Sequence, residues 1–162
     1  MTAKLGIMQG RLSKPLNGKI QSFPTGTWKK EFYDAKEIGF ELIEWVLDEN
    51  LEDNPIMNKN SFKIINQIKK ETQIAVNSIC CDFFMTNSLS KNSNSFKDKN
   101  LEVLEYLIEE ACPSNNIKII DLPLVKNESL KKKEIAEDYK NLFLNLEKKI
   151  IDNNLTISLE TD

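Results

Sequence analysis

The sequence contains no histidine among its 162 residues. Zinc sites and Ser-His or Cys-His nucleophiles usually depend on an imidazole, so the sequence argues against both kinds of chemistry in this chain. Whatever reaction these residues support must be carried by carboxylates, amides, arginine or lysine.

Long apolar runs are also missing. The first apolar run, Leu5 to Met8, is far too short for a signal peptide or a membrane span. The three cysteines, Cys80, Cys81 and Cys112, contain no CxxC pair. An odd number of cysteines in a chain without an export signal favours buried, reduced thiols over disulfides. We therefore expect a cytoplasmic protein with no membrane partner.

Charge of one sign is nowhere concentrated. The formal net charge is -3, and the lysines and acidic residues are interspersed along the chain. No basic stripe marks a nucleic-acid surface. The charge pattern is compatible with a small neutral or anionic ligand. The hydrophobic content of 40% and charged content of 29% are typical of one soluble domain. Residues 1–162 are therefore predicted to form a single domain.

One arrangement repeats along the chain: a short apolar run, a loop, and a segment with helical periodicity. The apolar runs begin 33 to 42 residues apart, which is the spacing of parallel strands joined by crossover helices. The predicted strands are Leu5 to Gln9, Leu42 to Val46, Ala75 to Cys81, Ile117 to Leu122 and Leu155 to Glu160. The pattern predicts an α/β fold with a parallel sheet.

Four amphipathic helices are predicted between these strands. Thr27 as N-cap and Gly39 as the C-terminal glycine bound the first helix, and Pro113 helps to end the third. The apolar stripes are Trp28-Phe32-Ala35, Phe62-Ile65-Ile68, Leu101-Leu104-Ile108-Ala111 and Ile135-Tyr139-Leu142-Leu146-Ile150. Lysines of the fourth helix are expected on its solvated side. Trp28 and Trp45 are expected to pack between helix and sheet, not to stack on a ligand.

Side chains alternate along a strand, so every second residue points to the same face. The last predicted strand has a polar face and an apolar face, and the polar face suits the inside of a barrel. The residues predicted to face inward are Glu44, Ser78, Cys80, Asp82, Thr156, Ser158 and Glu160. Three strands thus offer carboxylates to one interior.

Barrel enzymes place their sites at the carboxyl ends of the strands and in the loops that follow. Four polar residues fall at such ends: Gln9, Arg11, Asp82 and Glu160. Two of the loops, residues 10–27 and 86–100, are long enough to cover a pocket. The second is rich in Ser, Asn and Lys, which is equally typical of a disordered insertion.

Several segments resemble one family. They are Leu5-Gly6-Ile7-Met8-Gln9-Gly10-Arg11-Leu12-Ser13, Ile20-Gln21-Ser22-Phe23-Pro24 with Trp28, Ile43-Glu44-Trp45 after Gly39, Ser78-Ile79-Cys80-Cys81-Asp82 with Phe84-Met85, Leu122-Pro123-Leu124-Val125, and Leu159-Glu160-Thr161-Asp162. In this order they resemble the successive strand ends of bacterial sugar phosphate isomerases and epimerases with a xylose isomerase-like barrel. The resemblance spans essentially the whole chain.

The resemblance implies a (β/α)8 TIM barrel with a divalent metal, Mn, Mg, Co or Zn, near its carboxyl-end mouth. Glu160 matches the metal ligand of the fifth strand, and it is also the expected catalytic residue. In such enzymes the metal orients two sugar oxygens, and a carboxylate moves a proton between or across carbons through an enediolate. Gln9, Arg11, Glu44 and Asp82 are the expected contacts to a sugar or sugar phosphate.

The chain departs from this family in length. A barrel needs eight strands and typically about 250 residues, whereas only five strands are predicted here, so the fold is expected to be a barrel truncated after strand five. The later metal ligands, including a histidine, are then absent. Such a chain alone is expected to be inactive, and it exposes the edges of its first and fifth strands, which predicts self-association, including homo-oligomers.

Each site residue also has a plainer interpretation. Glu160 can be a surface acid at a strand end. Asp82 and Glu44 can be satisfied by backbone amides or by a buried ion pair with Arg11. Arg11 itself suits an anionic or hydroxyl-rich substrate, but it suits a structural salt bridge as well.

Two other classes of protein are alternatives to this interpretation of the sequence. The first is a complete five-stranded flavodoxin-like sheet that acts as a non-catalytic binding module, although a final helix and a Gly-rich first loop are missing. The second is an endonuclease-type metal phosphodiesterase on the same barrel. It would need histidines on the early strands and a basic groove, and neither is present.

Overall fold

The computed structural model describes residues 3–15, 18, 21–125 and 128–161. Ile20 and Asp162, which belong to two of the resembling segments, lie outside these residues. Among the described residues no helix is both long enough and apolar enough to cross a membrane.

Five parallel strands form one sheet, and each pairs with its neighbours in chain order, β1-β2-β3-β4-β5. The strands are β1 (Gly6–Met8), β2 (Leu42–Val46), β3 (Ser78–Cys80), β4 (Ile119–Leu124) and β5 (Thr156–Thr161). This sequential order contradicts the flavodoxin-like alternative, because that fold places its first strand between the second and the third. It is the order expected of consecutive strands in a barrel.

All five predicted strands are confirmed, with shifted ends. β2 has the predicted bounds, while β3 begins three residues late, although Ala75 still forms an isolated parallel bridge to Leu42. β4 lies two residues further along the chain than predicted. The cause lies at its start, where the N–H groups of Lys118 and Ile119 both donate to the Asn77 carbonyl.

The helices follow the predicted stripes. They are α1 (Trp28–Ile38), α2 (Phe62–Thr72), α3 (Asp98–Tyr106), α4 (Cys112–Asn115) and α5 (Lys133–Asp152). Gly39 ends α1 in the left-handed conformation at φ 101°, as predicted. Thr27 is the N-cap residue, but its hydroxyl pairs with Ser13 at 2.6 Å and does not cap the helix.

The prediction that Pro113 helps to end the third helix is wrong. A π-helical turn, Leu107–Ala111, connects α3 to α4, and Pro113 lies in the first turn of α4. A proline is tolerated there because the first turn of a helix does not use its N–H groups. The helical segment ends instead at Asn116, which adopts a positive φ of 57°.

The outward face of the sheet packs against the helices. On β2, β3 and β4 its side chains are apolar and at most 1% exposed, as in Ile43, Trp45, Ile79, Ile120 and Leu122, whereas Leu159 on β5 is 38% exposed. Trp28 and Phe32 of α1 contact Trp45 with ring-centroid distances of 5.6 and 6.4 Å. Packing of the two tryptophans in the core is therefore confirmed.

The three cysteines are buried and free, as predicted. The lysines of the fourth predicted helix are exposed, apart from Lys149. Lys149 forms ion pairs with Glu105 at 2.9 Å and Glu109 at 3.0 Å, so α5 is joined to the helical segment before β4. The solvated-face prediction holds for the others and is corrected for this one residue.

Candidate functional site

Strand register brings the inward-facing residues side by side. Met8 pairs with Glu44 in the register of β1 and β2, and Cys80 pairs with Asp121 in that of β3 and β4. In the β4–β5 register, Asp121 is opposite Ser158 and Pro123 is opposite Glu160. The predicted inward faces of β2, β3 and β5 are therefore confirmed, and β4 adds a carboxylate that the sequence analysis did not single out.

Glu44 is half-buried in the middle of this inward face. Its Oε1 atom accepts a hydrogen bond from the Ser78 hydroxyl on β3 at 2.8 Å. Arg11 forms no ion pair with it anywhere in the described part of the chain, so the alternative of a buried Glu44–Arg11 pair is not confirmed. A neighbouring strand, not a cation, orients this carboxylate.

Asp82 begins the 3-10 turn that follows β3, at the carboxyl end of the sheet. Its Oδ1 atom accepts a weak hydrogen bond from the Cys80 thiol at 3.4 Å, and no described residue forms an ion pair with it. Burial raises the pKa of Asp82, and the charges of Glu160, Asp48 and Glu44 raise it further, against the opposing bond from Cys80. Burial and these neighbouring charges thus favour the protonated form of Asp82.

Glu160 lies on the inward face of β5, next to the strand's last residue, as predicted. It is exposed, and its charge acts on Asp82. Glu160 therefore belongs electrostatically to the same cluster, although no described cation neutralises it.

Two further carboxylates were missed by the sequence analysis. Asp121, half-buried on β4, faces inward between Cys80 and Ser158. Asp48 follows β2 directly, but its carboxylate is already used: Oδ2 accepts from the Phe23 N–H at 2.9 Å and Oδ1 from the Asn50 N–H at 3.1 Å. A lone acid inside the apolar β4 run was the available signal for Asp121, and Asp48 had none.

Gln9 connects the ends of the first two strands. It is 1% exposed, its N–H donates to the Glu44 carbonyl at 2.9 Å, and its Oε1 atom accepts from the Val46 N–H at 3.2 Å. Its Nε2 atom is buried and has no hydrogen-bond partner. These bonds place the side chain in the sheet ladder, so its substrate role stays a prediction.

Arg11 is exposed on the loop after β1. Its Nη2 atom lies 4.0 Å from the Met8 sulfur, and the Gln21 Nε2 atom lies 3.4 Å from the same sulfur. Because Met8 faces inward beside Glu44, this contact directs the guanidinium toward the rim of the inward face. Both groups can donate hydrogen bonds to an oxygen-rich ligand.

The second long loop packs in an ordered way. Buried Glu128 accepts hydrogen bonds from the hydroxyls of Ser88, Ser93 and Tyr139. Buried Asn100 donates to the Ser88 and Ser95 carbonyls at 2.8 and 3.0 Å. These contacts favour the covering-loop interpretation over a disordered insertion, and a pocket of about 440 Å³ lies between residues 85–95 and 128–135.

The donor set does not make a complete metal centre by itself. Within residues 3–161 as described, no three His, Cys, Asp or Glu side chains are arranged to hold a metal ion. The inward carboxylates are instead spread over four strands, and two of them, Glu44 and Asp82, already accept hydrogen bonds from Ser78 and Cys80. This chain can supply single carboxylate ligands, of which Glu160 is the most accessible.

The consecutive strand order and the helix-covered outward face are those of part of a (β/α)8 barrel, as predicted. The crystal structure of D-psicose 3-epimerase with D-tagatose from Clostridium cellulolyticum H10 matches 97% of this chain, with a TM-score of 0.68 and 12% identity. A crystal structure of D-psicose 3-epimerase in the presence of D-fructose matches 96%, with a TM-score of 0.69 and 12% identity.

A third match is the probable 3-DHS dehydratase AsbF from Bacillus anthracis, involved in petrobactin synthesis, with a TM-score of 0.63 and 15% identity over 97% of this chain. The chain spans about half of each of these structures, 51% to 52% of their length. No family model matches the chain, and no curated protein sequence matches it. The likeness to these structures shows the fold of this chain and not its reaction.

Proposed function

We propose that this chain forms part of a sugar or sugar-phosphate isomerase or epimerase, in which an inward-facing carboxylate moves a proton on the carbon next to a carbonyl. The observation that carries the proposal is that Glu44, Asp121 and Glu160 lie on one face of a barrel-type sheet. Asp82 lies at the carboxyl end of β3, where the charges of Glu160 and Glu44 act on it. The comparisons support it at the level of the fold, since two of the matching structures are sugar epimerases.

Proton transfer through an enediolate needs a carboxylate base and a group that returns the proton. Asp82 suits such exchange because burial and neighbouring charges raise its pKa toward neutral pH. Glu160, exposed and without a described cation, is the accessible base on the same face. Arg11, Gln9 and Glu44 are the proposed contacts to the sugar, and Arg11 would bind its anionic or hydroxyl groups.

A divalent metal, Mn, Mg, Co or Zn, is part of the proposal, with Glu160 as one ligand. When bound, such an ion supplies charge stabilisation to adjacent sugar oxygens. The described residues do not complete its coordination, so the remaining ligands must come from beyond them. The chain alone is then expected to be inactive, and a partner half of the barrel or a second copy would be required.

The metal assignment is tested on the protein expressed from its complete gene. Wild type should retain a stoichiometric divalent ion by elemental analysis, and Glu160→Gln should lose it because a neutral amide is a weaker ligand. Glu147→Gln changes another exposed glutamate, on α5, and should keep the ion. Stoichiometric metal in Glu160→Gln would sink the ligand assignment.

The reaction itself is tested by proton exchange. Incubated in D2O with D-fructose, D-tagatose or D-fructose 6-phosphate, the active protein should incorporate deuterium at a carbon adjacent to the carbonyl, as seen by NMR. Glu160→Gln should reduce incorporation by about a hundredfold or more, the typical contribution of a general base. Incorporation by the variant at the wild-type rate would reject Glu160 as the base.

A further inference from the structure

The loop after β1 is anchored by a buried carboxylate that neither the strand pattern nor the fold comparisons single out. Glu31, in the first turn of α1, is 1% exposed. Its two oxygens lie 3.1 and 2.9 Å from the Gly10 N–H, and Oε1 also accepts from the Leu12 N–H at 3.2 Å. One helix residue therefore fixes the backbone on both sides of Arg11.

The other arm of the same loop is anchored as well. Asp48, after β2, accepts the Phe23 N–H at 2.9 Å. The two arms meet at Gly10, whose φ is +87° and where a Cβ atom would lie only 2.7 Å from the Ser22 carbonyl oxygen. The loop is thus closed back on itself, with no room for a side chain at its contact point.

This closure determines where Arg11 lies. Its flanking amides are bound by Glu31, its own N–H donates to the Met8 carbonyl at 3.4 Å, and its guanidinium lies against the Met8 sulfur. Met8 in turn faces inward beside Glu44. The side chain of Arg11 is exposed and forms no ion pair with any described residue, so its donors are available at the rim of the inward face.

Burying a carboxylate costs stability unless backbone donors replace its lost water. Burial raises the pKa of Glu31, while the hydrogen bonds from Gly10, Ser13 and Leu12 oppose that rise. An apolar residue of similar size could fill the same space but could not accept these hydrogen bonds. What only an acceptor can do here is hold the two loop amides that flank Arg11.

We infer that Glu31 is a positioning residue: it holds the Gly10 and Leu12 amides so that Arg11 presents its guanidinium to a sugar or sugar phosphate at the carboxyl-end rim. The inference rests on the proposed function only in assigning a sugar ligand to Arg11. It assigns no contact between Glu31 and the ligand.

A double-mutant cycle tests the coupling, with D-fructose and D-fructose 6-phosphate as probes in calorimetric titrations of the protein from its complete gene. Arg11→Ala should weaken binding roughly tenfold or more, the loss of a hydrogen bond from a charged donor. Glu31→Gln should weaken it comparably, because its amide NH2 group opposes the loop N–H donors. The double variant should bind no more weakly than Arg11→Ala alone.

The matched control is Glu37→Gln, which removes the same charge from an exposed position of α1 and should leave affinity unchanged. Glu31→Asp keeps the charge but withdraws the carboxylate by one methylene, so it should also lose affinity, and it serves if Glu31→Gln does not fold. In NMR spectra the Gly10 and Leu12 amide shifts should titrate with pH in wild type and not in Glu31→Gln.

Wild-type affinity in both Glu31 variants, or losses that add independently to that of Arg11→Ala, would overturn the inference. So would a wild-type protein that binds neither sugar. Metal content separates this failure from failure of the proposed function, because Glu31→Gln leaves Glu160 in place. Retained metal without sugar coupling rejects only the positioning role, whereas metal that is absent from wild type rejects the metal-assisted proposal.

Discussion

The two faces of this sheet have opposite chemistry although they are built from alternate residues of the same strands. On the outward face Ile43, Trp45 and Ile120 are at most 1% exposed and contact the aromatic and aliphatic side chains of the helices. On the inward face Glu44 and Asp121 are half-buried, and Glu160 is exposed. Val46, Cys80 and Pro123 are buried exceptions near the strand ends.

The outward face stabilises the fold, whereas the inward face carries the carboxylates of the candidate site. Burial of the outward face supplies the apolar contacts that stabilise the sheet. Carboxylates whose charges raise the pKa of a neighbour, as Glu160 and Glu44 do for Asp82, do not stabilise a sheet, and such groups cluster where chemistry occurs. Changes on the two faces should therefore have different consequences.

The largest effect is expected on the outward face, from Trp45→Ala. Trp45 is fully buried, its ring contacts Phe23, Trp28 and Phe32, and its Nε1 atom donates to Asn54 at 3.0 Å. Truncation should lower the free energy of unfolding by about 3–5 kcal/mol, as a lower urea midpoint at fixed protein concentration.

The matched change on the same strand is Glu44→Gln, which keeps an oxygen to accept the Ser78 hydroxyl. It should alter the free energy of unfolding by about 1 kcal/mol or less. A loss as large as that of Trp45→Ala would contradict the division between the two faces.

The same division decides what could be predicted from the sequence. Alternation within β2 and β5 identified Glu44 and Glu160 as inward because each has apolar neighbours that need the core. Asp121 was missed because it is a lone acid in the otherwise apolar run Ile119 to Leu124, and its inward direction depends on pairing with Cys80, which lies 41 residues earlier.

Residues that act through loops were harder to predict. Glu31 follows Lys30 and precedes Phe32, so nothing local marks it as buried. Its burial depends on the loop at Gly10, which lies 21 residues earlier in the chain. The segment 86–100 has the composition of a disordered insertion, yet Glu128, which follows β4, binds its hydroxyls. The composition of a segment does not reveal hydrogen-bond partners that lie far away in the sequence, and both of these cases depend on such partners.

A second prediction concerns the two ends of the sheet. No described strand pairs with the outer edge of β1 or β5, and Leu144, Ile151 and Leu159 are 59%, 67% and 38% exposed beside the β5 edge. The 162-residue chain alone should therefore self-associate, with a sedimentation mass above 18.7 kDa that rises with concentration.

The substitution Ile151→Lys should reduce this association, because it places a charge in the apolar groove that Leu144, Ile151 and Leu159 line. Asn141→Lys adds the same charge at an exposed polar position of α5 and should have little effect. A wild-type chain that stays monomeric at all concentrations and unfolds cooperatively would show that the exposed edge and groove are not adhesive.

The smallest effect is expected from Asp82→Asn, and it depends on pH. The pKa of Asp82 is raised above its ordinary value of 3.8, so the folded protein holds this proton to higher pH than the unfolded chain does. The contribution of Asp82 to stability therefore falls as the pH rises from 3.8 through the raised pKa, and the loss is complete above it. Asparagine removes that penalty and still accepts the Cys80 thiol. Urea midpoints between pH 3.5 and 7.5 should show the variant gaining stability relative to wild type as the pH rises. Glu52→Gln, at an exposed turn after β2, should show no such trend. A gain that is the same at both ends of the pH range would mean that Asp82 titrates as it does in the unfolded chain, and the inward carboxylates would then not act on one another.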